Sequence, residues 1–179
     1  MKRAITVLLT SLLLLLIQAS PAYDLIRITL GAKPDLLLIF LAFISFKYGS
    51  FNGAIYGFII GLIQDVVSNS TFGSYAIKFL NIGFFLGFFN SRLFIRQITA
   101  GIFITLIGYL IKIIGLFLVI SIYSDLSNVA VLIRSELFIG LPLTVILSSP
   151  MFLIFDRVSS LLFEKNKIPV DDSTKNYEE

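Results

Sequence analysis

Six ionisable side chains stand inside or beside long apolar runs of this chain: Asp35, Asp65 and Glu136 on the acidic side, Lys78, Lys112 and Arg134 on the basic side. Carboxylates of this kind can exchange protons, hold a hard cation through oxygen, or pair with amines, and their neighbours decide which. The chain has no histidine and no cysteine. That removes the commonest general base, the commonest nitrogen ligand for metals, thiolate nucleophiles and disulfides. No glycine-rich phosphate loop, Gly-x-Ser-x-Gly elbow or metal-ligand cluster accompanies the carboxylates. The sequence therefore predicts no catalytic, cofactor-binding or metal-binding residues. A membrane hydrolase built from Asp35 and Asp65 is the one enzymatic reading it leaves, and no further residue supports it.

The elements that would position these charges are helices in a membrane. Of 179 residues, 57% are hydrophobic and 14% charged, against roughly half and a quarter in a soluble domain, and the mean hydropathy is +0.95. Six apolar runs follow one another. The first, Ala4 to Ile17, comes after Met1-Lys2-Arg3 and is either a retained helix or the apolar part of a cleaved leader. Ala22 to Lys33 reads as a connector. The second run spans Pro34 to Phe46, its proline suiting a first helical turn, and the third Ser50 to Val67. A cap-and-breaker turn, Ser68-Asn69-Ser70-Thr71-Phe72-Gly73, leads to the fourth, Ser74 to Phe89. The fifth runs from Ile98 to Ile122 and ends in an exit loop, Tyr123 to Asn128. The sixth runs from Val131 to Phe155, with Pro142 expected to kink it. The reading is an all-α polytopic membrane protein: a six-helix bundle over residues 1–157 and a polar, partly disordered tail over 158–179.

Sidedness follows from the cations. With the N-terminus in the cytoplasm, Lys2, Arg3, Lys47, Arg92, Arg96, Arg157, Lys165 and Lys167 lie inside, and the opposite connectors carry Arg27 and Lys33. The positive-inside rule thus places both termini in the cytoplasm. At 1.5 Å per residue, Asp65 and Lys112 lie roughly 20 Å from the cytoplasmic ends of their helices, and Lys78 and Glu136 reach a similar level from outside. Asp35 and Arg134 sit slightly higher. Equal numbers of acids and bases in one outer layer suggest pairing, with Lys112 meeting Asp65 or Glu136. The layer is either a set of interhelical salt bridges or a polar cavity open to the outside. No basic cluster resembles a nucleic-acid footprint.

Gly53, Gly57 and Gly61 recur every four residues, and Asp65 continues the spacing, so all four share one side of the third helix. Gly101, Gly108 and Gly115 mark one face of the fifth, with Lys112 on it. Such ridges let helices approach closely, either within the bundle or against a partner.

In Pro34-Asp35-Leu36-Leu37-Leu38, Tyr48-Gly49, Gly53-x-x-x-Gly57-x-x-x-Gly61-Leu62-x-x-Asp65 and Phe72-Gly73-x-Tyr75-Ala76, the chain resembles MreD, the rod shape-determining membrane protein family of bacteria. These motifs cover its first half; the second half agrees in hydropathy and length. The resemblance implies a non-enzymatic inner-membrane protein of the machinery that elongates the cell wall. It further implies partners among MreC, MreB, RodA and a class B penicillin-binding transpeptidase, with membrane lipid around it. Asp35 and Asp65 would serve as outer polar anchors, and Gly53, Gly57 and Gly61 as a ridge for packing or partner binding. Lys112 falls outside the pattern. The family fold is similar to the S component of energy-coupling factor transporters, which supplies the rival expectation of a vitamin or metal uptake subunit. The absence of tryptophan, histidine and cysteine speaks against that rival, and a plain membrane scaffold is a third reading.

Overall fold

The computed structural model describes residues 2–68, 73–90, 97–123, 134 and 136–162. Residues 69–72 of the expected turn, Arg92, Arg96, the exit loop beyond Tyr123, the start of the sixth run at 131–133 and the tail after Leu162 lie outside the described residues. Among those described, every regular element is helical: α1 (Lys2–Gln18), α2 (Pro21–Leu30), α3 (Leu36–Tyr48), α4 (Ser50–Val67), α5 (Ser74–Gly87), α6 (Gln97–Tyr123) and, after a π-helical turn at Glu136–Gly140, α7 (Leu141–Leu162). Among the described residues, two helices are long and apolar enough to cross a bilayer, Ser50–Val67 and Glu136–Ser159, while α3 is shorter at 13 residues.

The connector expected between Ala22 and Lys33 is mostly the helix α2. Its Tyr23 is buried and Ile26 packs on the core, whereas Leu25 and Ile28 face outward. A ten-residue helix with one inward face is too short and too polar to register as a membrane run, so the apolar count passed over it.

Helix α3 is the hub. Leu36 through Ser45 are all buried, and the helix touches α1, α4, α5, α6 and α7. An element apolar on every side is stable only when it is enclosed on every side. Phe40 meets Phe155 and Phe43 meets Phe152, with ring centroids 5.0 Å and 5.5 Å apart in edge-on geometry. These fix α3 against α7 with the preferred aromatic arrangement. At the end where α3 stops, the Lys47 ammonium pairs with Asp156 at 2.8 Å and donates to the Ser159 hydroxyl at 2.9 Å.

Helices α4 and α5 form the closest pair. A Cβ on Gly53 would land on the Gly83 carbonyl and Ser45, one on Gly57 on the Phe79 carbonyl, and one on Gly61 on Ala76 and the Tyr75 carbonyl. The ridge on α4 is therefore filled by the backbone of α5, and Gly83 and Gly87 answer it from the other side, against Gly53 and against Gly49 and Ser50. In lipid, where helices gain little from hiding apolar surface, this backbone-to-backbone packing is what associates them. On α6 the spacing divides: Gly101 faces the Phe152 ring, Gly108 faces Leu86, and Gly115 has none of the described residues against it.

These contacts set an expectation for alanine. Gly57→Ala forces α4 and α5 apart and should cost on the order of 1–3 kcal/mol, the usual range for overpacking. Gly115→Ala, with none of the described residues within 4 Å of the new methyl, should be neutral or stabilising by up to about 1 kcal/mol, because alanine is the better helix former. Thermal loss of the monodisperse peak in mild detergent reads both, and equal melting of the two variants would contradict the packing assigned here.

Candidate functional site

The ends of α3, α4 and α7 and the middle of α6 bring most of the outer charges to one place. Asp35 begins it. Its carboxylate Oδ1 accepts from the Leu38 N–H at 3.0 Å, which makes it the N-cap of α3, and its own N–H donates to Thr144 Oγ1 of α7 at 3.2 Å. Pro34 accordingly precedes the helix rather than occupying its first turn. A carboxylate takes the cap position because it can accept an otherwise orphaned helix N–H. The Pro34 carbonyl accepts from the buried Tyr23 hydroxyl. Burial first, and the Asp35 charge next, push the Tyr23 phenol up to about 12, so it keeps the proton it donates.

The second oxygen of Asp35 receives Lys112. The ammonium lies 3.0 Å from Asp35 Oδ2 and 3.5 Å from Glu136 Oε2, and 4.8 Å from the centre of the Tyr109 ring. The Tyr109 hydroxyl donates to the same Glu136 oxygen at 2.5 Å. Gly140 makes room for that hydroxyl, since a Cβ there would strike it. A cation shared by two carboxylates and an aromatic face is the arrangement that makes a lysine tolerable away from water. The expected partnership with Glu136 is present; the one with Asp65 is not, and Asp35 stands in its place.

Asp65 has a different task. It is 2% exposed, and it accepts from the N–H groups of Gly73 (3.0 Å), Tyr75 (2.9 Å) and Ala76 (3.2 Å) and from the Ser74 hydroxyl (3.2 Å). A helix start presents several N–H groups without intrahelical partners and a positive dipole end. One carboxylate from the end of α4 therefore closes the start of α5. Gly73, at φ 93°, supplies the left-handed turn that aims its N–H at the same carboxylate.

Pro142, expected to kink the sixth run, is the second residue of α7, and a π-helical turn, Glu136–Gly140, stands just before that helix. Pro142 has no N–H to continue the regular ladder, and the widened turn carries Glu136 toward Lys112. The proline within α7 is Pro150. Arg134 is exposed and makes no ion pair among the described residues. Lys78 does not pair with a carboxylate there either; its ammonium sits 5.0 Å from the centre of the Tyr75 ring.

One cavity of about 470 Å³ lies at the end of the bundle where α3 begins, with Asp35, Glu136, Lys78 and Lys112 in its wall beside apolar Leu15, Phe79 and Ile82. Among the described residues, no group of three or more acidic side chains could hold a metal ion. The sequence reading missed Tyr109, Thr144 and Gln64. Tyr109 was visible as the residue one helical turn before Lys112, whereas Thr144 and Gln64 acquire meaning only once α7 and α4 are placed.

The family described as rod shape-determining protein MreD matches residues 1–158. The chain belongs to the MreD family. It is thus a rod shape-determining membrane protein. Among curated proteins and among solved structures, no match is found. The MreD motif residues take up separate positions here: Asp35 caps α3, the glycines seat α5, and Asp65 caps α5.

Replacing Asp65 tests the cap directly. Asp65→Ala leaves four donors without their carboxylate and should cost about 3 kcal/mol or more, given roughly 1.5–3 kcal/mol for a hydrogen bond to a charged group. Asp65→Asn should recover part of the loss. The same detergent melt checks it, and an Asp65→Ala protein that melts like the parent would show that the cap contributes nothing.

Proposed function

We propose that this MreD-family chain is a six-span inner-membrane protein with both termini in the cytoplasm. Residues 1–157 form the bundle and 158–179 a cytoplasmic tail. It works by binding rather than catalysis: it holds MreC, with MreB, RodA and a class B penicillin-binding transpeptidase as further partners, and so places peptidoglycan synthesis along the cell. The observation that carries this reading is the family match over residues 1–158.

The helices support six spans in physical terms. At 13 residues α3 covers about 20 Å, less than a bilayer core of about 30 Å. Its buried surroundings let it be short, because protein rather than lipid covers its ends. Lys47 and Asp156 meet at one end of the bundle, opposite the Lys112 cluster, as expected if the cytoplasmic cations and the outer layer lie on opposite sides. Helix α1 packs Val7, Leu14 and Leu15 into the core, which favours retention of the first run over cleavage. A likeness to the S component of energy-coupling factor transporters belongs to this proposal as a statement of fold alone. The uptake reading has no support among the comparisons.

Gly53, Gly57 and Gly61 face α5, so a partner helix would have to dock elsewhere, on the outward faces of α1 or α6. Mild-detergent purification of the tagged native protein, followed by mass spectrometry, should recover MreC with RodA or a transpeptidase, and depletion of the protein should round the cells. Recovery of a transmembrane coupling protein with paired ATPases instead would overturn the proposal.

A further inference from the structure

The cavity where α3 begins is lined by the Lys112 cluster that assembles the fold and, beyond it, by a lysine and a buried amide oxygen without close partners among the described residues. Three lysines and three carboxylates line it. Lys33 pairs with Asp24 at 3.4 Å and closes its own account at the rim. Lys112 serves both Asp35 and Glu136, so one formal negative charge is left at that pole. Lys78, on α5, faces the same space with no carboxylate within 4.0 Å among the described residues; the buried Asp65 acts on its charge only from farther off, so the positive charge at this pole has no partner in contact. In the wall of the same cavity, the Gln64 side-chain oxygen is buried without a hydrogen-bond donor among the described residues. A buried acceptor without a donor costs free energy unless a bound group supplies one.

The geometry points to a binding site for a small zwitterionic group, with its anion beside Lys78 and its primary ammonium toward Gln64 and the Asp35–Glu136 carboxylates. Such a group cancels both residual charges at once and gives Gln64 the donor it lacks. A simple anion would satisfy Lys78 and meet the excess negative charge opposite. A quaternary ammonium would carry the right charge but no N–H for Gln64. The cavity, at about 470 Å³, lies within the roughly 300–1,000 Å³ of small-molecule sites. Leu15, Phe79 and Ile82 in its wall would cover apolar parts of the ligand. The chemistry is shared by the head group of phosphatidylethanolamine and by free amino compounds such as phosphoethanolamine or glycine.

The test uses the full-length protein. It is placed in nanodiscs of phosphatidylcholine doped with phosphatidylethanolamine or phosphatidylglycerol, and lipid retention is read by native mass spectrometry. Thermal melting in detergent with phosphoethanolamine or glycine forms the second arm. Preferential retention of phosphatidylethanolamine over both other lipids, by roughly tenfold, supports the site with lipid as the source, tenfold corresponding to about one charge-assisted hydrogen bond. A melting shift with the soluble zwitterions and no lipid preference supports it with a free small molecule as the source. In either case Lys78→Met should lose about tenfold in binding and Lys78→Arg should keep it, while both melt like the parent without ligand. Equal retention of all three lipids with no shift from the soluble compounds overturns the inference, as does a preference for phosphatidylglycerol or undiminished binding by Lys78→Met.

Discussion

A lysine held among the helices of a membrane protein has to be compensated where it stands, and the end of the bundle where α3 begins is arranged around Lys112. Its ammonium takes a carboxylate from the start of α3 and another from the π-helical turn before α7. Three elements distant in sequence are thereby joined at one atom. Charged pairs of this kind contribute little net stability compared with apolar residues, but removing one member leaves the other uncompensated. The pair thus acts as a condition on assembly: α3, α6 and α7 must arrive together or a charge is left in the bundle.

The other half of the fold obeys a backbone constraint rather than a charge constraint. α4 and α5 pack so closely that side chains are excluded from the seam at Gly53, Gly57 and Gly83. Where the pair turns over, the first N–H groups of α5 would be orphaned in a medium that cannot hydrate them. Asp65 answers them from the last turns of α4. Glycine ridge and terminal carboxylate belong to one device, a hairpin that satisfies its own polar groups. This gives a physical reason for the regular Gly53, Gly57, Gly61, Asp65 spacing: all four lie on the face that α5 covers.

Much of this was legible in the sequence. Apolar runs and their breakers located the helices α3 to α6 within a few residues, because membrane helices must be long, uniform and bounded by polar turns. Depth arithmetic placed Asp65, Lys78, Lys112 and Glu136 at a similar level; Lys78, Lys112 and Glu136 line one cavity, and Asp65 does not. What the sequence hid was the choice among partners at that level. Asp65 and Asp35 looked equivalent, and only the sharp turn at Gly73 reveals that the Asp65 carboxylate is spent on α5. The helix α2 escaped because ten amphipathic residues carry no membrane signal, and Pro142, expected to kink the sixth run, did not announce the π-helical turn before it. The small-residue pair Gly83 and Gly87 was in plain view and answers α4 across the hairpin, Gly83 against Gly53 and Gly87 against Gly49 and Ser50.

The account depends most on Lys112 being held by Asp35 and Glu136 together. The most direct test compares the thermal stability of Lys112→Met with that of the combined variant Asp35→Asn, Lys112→Met, Glu136→Gln, in the same detergent. The account predicts that the single variant loses several kcal/mol, about 3–5 for a buried charge stripped of its partner, and that neutralising the two carboxylates restores a large part of it. A single variant as stable as the parent, or a combined variant less stable than the single one, would contradict it.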